Sequence, residues 1–290
     1  MSVPERLRYY VQTEHRRGIE IFFQDVDIHL QCGKSVILDF SKVQALFPCG
    51  LLILMGWVDE WIKNFPNKIS GIYPEVDLVE QMLQQVDVLR KLGLPERREI
   101  FHNDVTRWHY FHGTNADATP IEPFMEELQR LLGIEKQLGL GNCVTEAMIN
   151  VGHHAYQQDK HGSWWIFATI SNGSVFVALY DRGESVPATL LAKPKVMDFL
   201  SGRMWSLGRG DSHLITAAVG GRTRTELPYR GKGLPEMLEF TKKFPNSELG
   251  IYSRNGFFRF SNQESSGKLK TPIKGTLVIW RLNVAVKEND

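Results

Sequence analysis

Cysteine is scarce in this chain: Cys32, Cys49 and Cys143 are the only three among 290 residues. An odd number at irregular spacing gives neither a disulfide framework nor a zinc motif, so reduced thiols are expected. Long apolar runs are also lacking. The longest, Ala45 to Val58, is interrupted by Pro48, Gly50 and Gly56 and is too short to span a bilayer. No signal-peptide architecture opens the chain, because Met1-Ser2-Val3-Pro4-Glu5-Arg6 runs straight into charge. A cytoplasmic protein without membrane contact is therefore expected. There is little excess of one charge: the formal net charge is +1. That disfavours a dedicated nucleic-acid or membrane-surface binder. Internal repeats and low-complexity stretches are missing as well. What is present is an apolar content of 42%, enough for one large or two medium domains with real cores.

The first third reads as alternating strands and helices. Ile19 to Phe23 and Ser35 to Phe40 are predicted strands, the second β-branched and closed by Asp39-Phe40-Ser41. Gly50 to Phe65 reads as a helix apolar nearly all round, and therefore buried. Lys68 to Tyr73 is a further short strand. Asp77 to Leu92 is a predicted helix with an acidic start and Gly93 just past its end. This order implies an α/β layer. Arg97 to Pro123 reads as a linker or an irregular strand pair carrying His102, Trp108, His109, Tyr110 and His112. No carboxylate or cysteine completes a metal set there, which leaves an aromatic-rich domain contact as the reading.

The densest chemical signal is Thr145 to Tyr156. Glu146, Asn150 and His153 fall at helical spacing on one face, and Val144, Ala147, Met148, Val151 and Ala155 on the other. A carboxylate, an amide oxygen and an imidazole thus point one way. Glu can polarise a hydroxyl or water, Asn can offer a hard oxygen to Mg²⁺, and His can touch a phosphate. An amphipathic helix with a solvated polar face has the same pattern, so the helix alone leaves both readings open. Next comes a strand, Val175 to Tyr180, ending in Asp181-Arg182-Gly183. An Asp just past a strand can accept from an exocyclic amine, and Gly183 lets a flat base approach the backbone. Tyr229-Arg230-Gly231-Lys232-Gly233-Leu234 then leads into an apolar-periodic helix, where backbone N–H groups favour an anion. Gly275-Thr276 opens a last strand, Leu277 to Leu282. Trp164 to Ile170, Val175 to Tyr180, Glu248 to Arg254 and Leu277 to Leu282 are expected to form an antiparallel sheet, with Asn172-Gly173 as a hairpin turn. Glu122 to Leu132 is a predicted amphipathic helix, and Glu264 to Lys274 a polar hairpin tip. Ala188 to Tyr229, rich in Gly and Arg, reads as a lid.

These pieces, in this order, resemble the GHKL (HATPase_c) ATPase superfamily, and most closely its anti-sigma-factor serine kinases. Glu146, Ala147, Asn150, His154, Ala155 and Tyr156 match the Asn-box of that group. The resemblance spans roughly Glu122 to Leu282. It implies an α+β GHKL (Bergerat) two-layer sandwich over residues 122–290 that takes ATP and Mg²⁺. Asn150 would ligate the metal and Glu146 would be the catalytic base. Asp181 would hold the adenine amine, Gly183 would lie under the base, and Thr276 would stand near the adenine end. Arg230, Gly231, Lys232 and Gly233 would meet the phosphates, and His153 stands where many relatives carry a phosphate-facing lysine. Pro187 departs from the family pattern, with no second glycine right after Gly183.

Residues 1–96 resemble a STAS-like α/β domain, the fold of anti-sigma-factor antagonists, on Val36-Ile37-Leu38-Asp39-Phe40 and Phe47-Pro48-Cys49-Gly50-Leu51. The family's phosphoacceptor serine falls at Cys49, so the resemblance implies a docking module that has lost the acceptor, joined by a linker over 97–121. Two functions stay open at this point. One is a GHKL-type ATPase or protein serine/threonine kinase, working by phosphoryl transfer to a protein or by slow hydrolysis. The other is a non-enzymatic, ATP-gated switch for a protein partner. A homodimer is compatible with either.

Overall fold

A computed structural model describes residues 1–9, 13–114, 119–151, 162–171, 173–192, 210–221 and 233–283. The chain divides into two compact units, Met1–Tyr110 and Phe111–Asp290.

The first unit is built on parallel strand pairs. Strand β1 (Arg6–Leu7) pairs with β3 (Ala45–Leu46), and β2 (Val36–Asp39) pairs with β4 (Ile69–Ile72), with Val36 opposite Ile69. Helix α1 covers Thr13–Gln31, so the predicted strand at Ile19 to Phe23 is corrected to helix. The apolar residues recur every three to four positions over a longer window than that short run. Ile19, Phe22, Phe23, Val26 and Leu30 are buried, while Ile21 is 44% exposed. Helix α2 (Pro48–Asn64) is buried over most of its length, as its composition implies. Phe23 stacks on Trp57 at 5.5 Å, and the Trp61 indole donates to Asp27 at 3.0 Å, which ties α1 to α2. The predicted helix from Asp77 to Leu92 is two: α3 (Asp77–Gln85) and α4 (Val88–Lys91), broken where Asp87 takes φ 63°. Asp and Asn accept this left-handed geometry more readily than most residues.

The stretch after α4 is ordered by one buried carboxylate. Glu80 is fully buried and takes paired hydrogen bonds from Arg97 at 2.6 and 3.0 Å and a third from Arg98 at 2.8 Å. Burial alone would raise the Glu80 carboxyl; the two guanidiniums override it and hold it below the usual range. Gln81 accepts from the backbone of Phe101 and His102, and the His102 ring meets Asp77 at 3.0 Å. A short helix α5 (Asn103–Thr106) and strand β5 (Trp108–Gly113) follow, so this segment is more regular than its composition indicates. The boundary between the two units falls inside β5.

The second unit holds a five-stranded sheet in the order β5-β6-β7-β9-β8, with β6 (Trp164–Ser171), β7 (Ser174–Asp181), β8 (Glu248–Ser261) and β9 (Gln263–Asn283). The β6–β7, β7–β9 and β8–β9 pairings are antiparallel. Gly173, at φ 69°, turns β6 into β7. One face of the sheet shares a core with α6 (Glu122–Leu132), α7 (Ile134–Asn150), α9 (Asp211–Val219) and α10 (Gly233–Lys242). A small helix, α8 (Val186–Leu191), starts at Ser185, whose hydroxyl accepts from the Ala188 N–H.

Two expectations fail here. Glu264 to Lys274 is not a loop tip but the first half of β9, and the turn is at Asn262, with φ 61°. Lys268 and Lys270 are exposed while Leu269 and Ile273 are buried, which is the two-residue period of a strand. The lid stretch contains α9, whose Leu214, Ile215, Ala217, Ala218 and Val219 are buried, so that part is packed helix. Its residues 193–209 and 222–229 lie outside the described residues.

Candidate functional site

Three transverse rows cross the sheet on its helix-facing side. Ala168, Val177, Trp280 and Leu249 form one, and Ile166, Leu179, Val278 and Ile251 the next. The third row breaks the apolar pattern: Trp164, Asp181, Thr276 and Ser253 stand in register across β6, β7, β9 and β8. All four side chains are nearly or fully buried. Side chains two apart along a strand share a face, so Asp181, Thr276 and Ser253 necessarily face the same way as the core residues beside them.

Asp181 is the centre of this row. Its Oδ1 accepts from the Gly183 N–H at 2.9 Å, closing a short turn past the strand. Burial pushes its carboxyl up to about 7, opposed by hydrogen bonds from the backbones of Gly183 and Thr276. Gly275 makes this approach possible. It sits at φ 79°, and a Cβ there would lie 1.9 Å from the Asp181 carbonyl oxygen. No side chain fits at that position. The Ser253 hydroxyl lies 3.0 Å from the Thr276 hydroxyl and 3.1 Å from the Gly275 carbonyl, and it accepts from the Val186 N–H at 3.0 Å. The sequence singles out Asp181, Gly183 and Thr276. Ser253 carries no sequence signal, since a lone serine in a strand has no motif; only register places it beside Thr276.

The second group is on the helices. Glu146 and Asn150 lie one turn apart on α7, both half-buried, while Val144, Ala147, Met148 and Val151 face the core. Both polar side chains meet the first residue of α10. A Cβ built on Gly233 would stand 3.1 Å from Glu146 Oε2 and 3.3 Å from Asn150 Nδ2. Farther along the same pair of helices, Gly139 faces the Phe240 ring, where a Cβ built on it would lie 2.5 Å from the ring. The two contacts run in opposite chain directions, so α7 and α10 are antiparallel, and a glycine stands at each close approach. Burial, then the charge of Glu236 on α10, raises the Glu146 carboxyl above its usual range. Glu236 is a second residue that sequence motifs do not flag; it follows Gly233 by three positions and comes within range of Glu146 only through the helix pairing.

The structure therefore groups Asp181, Gly183 and Thr276 in one cluster and Glu146, Asn150 and Gly233 in another. His153, Arg230, Gly231 and Lys232 lie outside the described residues. Among the described residues, no group of three or more His, Cys, Asp and Glu could hold a metal ion, and no helix is long and apolar enough to cross a membrane. A metal bound through one amide oxygen and a ligand's phosphates needs no such group. The chemistry of the residues present fits an adenine amine in one respect, the acceptors gathered at Asp181 and Thr276; Gly233, at the start of a ten-residue helix, is closely flanked by Glu146 and Asn150. No protein-family model matches the chain, and no curated protein matches its sequence.

Proposed function

We propose that the Phe111–Asp290 unit binds ATP with Mg²⁺, in the manner of the GHKL proteins it resembles, and that the chain is a regulatory protein acting by phosphoryl transfer to a protein serine or threonine or by slow ATP hydrolysis. The observation that carries this reading is the buried polar row ending the sheet, with Asp181 held between Gly183 and Thr276. A carboxylate buried without a cationic partner in that row has acceptor capacity to offer a ligand amine. The Mg²⁺ ion, when bound, would neutralise triphosphate charge, with Asn150 as its protein ligand. Glu146 would take the proton from the attacking hydroxyl or water; its raised affinity for protons makes it a stronger base than an ordinary surface glutamate. The half-buried setting of Glu146 and Asn150 against Gly233 supports this assignment.

Titration calorimetry of the full chain with Mg²⁺ and ATP tests the binding reading. Binding is expected for wild type, a weaker response for Asp181→Asn by ~1–2 kcal/mol, and loss of the Mg²⁺-dependent part for Asn150→Ala. Glu146→Gln should keep the affinity and lower turnover roughly 10²-fold or more. A folded wild type that ignores ATP ends this reading. If ATP binds but no phosphate is released or transferred by wild type, the non-enzymatic switch is the correct form of it.

A further inference from the structure

Ser253 is completely buried and has one proton and two lone pairs to distribute. Its three neighbours fix how they are used. The Val186 N–H at 3.0 Å can only donate, so it takes one lone pair. The Gly275 carbonyl at 3.1 Å can only accept, so it takes the proton. That leaves one lone pair for the Thr276 hydroxyl at 3.0 Å, which must then donate to Ser253. The reverse direction would put two oxygens with no proton between them 3.1 Å apart in a buried site, an arrangement that costs free energy. The Thr276 proton is therefore turned toward Ser253, and Thr276 offers only lone pairs to anything else beside it. Asp181, next in the same row, is acceptor-only when ionised.

We propose that Ser253 is a specificity-determining positioning residue: by holding the Thr276 hydroxyl as an acceptor, it makes the nucleotide site select a base with an exocyclic amine over one with a carbonyl at that position. This rests on the reading that Asp181 and Thr276 meet the base. An amine brings protons to two acceptors. A carbonyl would bring lone pairs to lone pairs, and sites built around buried polar groups reject such mismatches strongly. Without Ser253, Thr276 could rotate and donate.

The experiment compares ATP with ITP, which replaces the adenine amine by a carbonyl, on the full chain with Mg²⁺ by calorimetry. Ser253→Ala should shrink the ATP-over-ITP preference roughly five- to tenfold, the scale of one hydrogen bond. Most of that change should come from improved ITP binding, which a simple loss of structure cannot produce. In a Thr276→Val background the same Ser253→Ala change should leave the preference untouched, because the serine acts through that hydroxyl. If Ser253→Ala does not fold, Ser253→Cys, a weak donor and acceptor, reads the same ratio. An unchanged preference with ATP binding intact overturns the role of Ser253 and leaves the nucleotide site standing. Wild type that binds neither nucleotide overturns both.

Discussion

Among the described residues, Asp181 carries a clear pH dependence near neutrality. Its carboxyl is raised from 3.8 to about 7 by burial, so between those values the folded chain binds a proton that the unfolded chain has released. Stability linked to this group is present below the unfolded value and declines as pH rises through about 7. Chemical denaturation of the unliganded protein should show Asp181→Asn gaining on wild type between pH 5 and pH 8, the wild-type contribution falling over that interval. Nucleotide affinity should move the other way. An ionised Asp181 offers only acceptors to an amine, whereas a protonated one is a weaker acceptor and adds a donor, so ATP binding should strengthen from pH 6 to pH 8, with proton release measurable in buffers of different ionisation enthalpy. A flat profile for both would mean that Asp181 titrates as an ordinary surface carboxylate. At this scale the sequence was informative wherever a motif names its residues: Glu146, Asn150, Asp181 and Thr276 can all be read from it. Ser253 and Glu236 could not, because each depends on a partner brought near by strand register or helix pairing.

Elements were legible in proportion to the length of their hydrophobic pattern. Glu122–Leu132 is the helix its period predicts, and the apolar α2 lies where its composition puts it. Errors arose where a short window was ambiguous. Five residues at Ile19–Phe23 look like a strand until His15–Leu30 is seen to repeat at helical spacing. The polar half of β9 was hidden by its lysines, although they alternate with buried residues. The antiparallel contact of α7 and α10 depends on glycine in a way no helix propensity reveals. Gly139→Ala would gain ~1 kcal/mol of intrinsic helix propensity. The new Cβ would lie 2.5 Å from the Phe240 ring, however, and overpacking of a core costs ~1–3 kcal/mol. The net change should be destabilising, seen as a lower Tm. Since Gly233 begins the displaced helix, nucleotide affinity should fall as well. A variant of raised Tm with unchanged affinity would show that the helices do not need that closeness.

At the scale of the whole molecule, the two units have different chemistry. The Met1–Tyr110 unit places Cys49 at the second residue of α2, 2% exposed, with Gly50 so close to β1 that a Cβ would stand 2.0 Å from the Leu7 carbonyl oxygen. A side chain packed there is a small apolar plug, and a thiol is not the hydroxyl a serine kinase phosphorylates. Intact-mass and peptide analysis after incubation with Mg²⁺ and ATP should find no phosphate within residues 1–95. A stoichiometric phosphopeptide in that range would make the first unit a substrate and end its reading as a docking module. The division into two units was foreseeable from the change in pattern near residue 100. The position of the boundary within β5 was not, since a strand of Trp, His, Tyr and Phe lacks the simple alternation that marks one.

The length of β9 has a consequence for how the chain behaves in a crowd of its own copies. Its ladder with β7 ends at Thr276, whereas its ladder with β8 resumes, past a register shift that leaves 269–272 without ladder partners, and runs from Lys268 to Gln263. Among the described residues, then, 263–268 has a strand on one side only. Such an open edge invites a second chain to add itself as another strand. Pro272, in the adjoining stretch without ladder partners, cannot donate to an incoming strand, and the exposed Lys268 and Lys270 would set like charges side by side in any in-register pairing of two copies. The residues that disguised this strand as a loop are thus the ones that guard it against self-association.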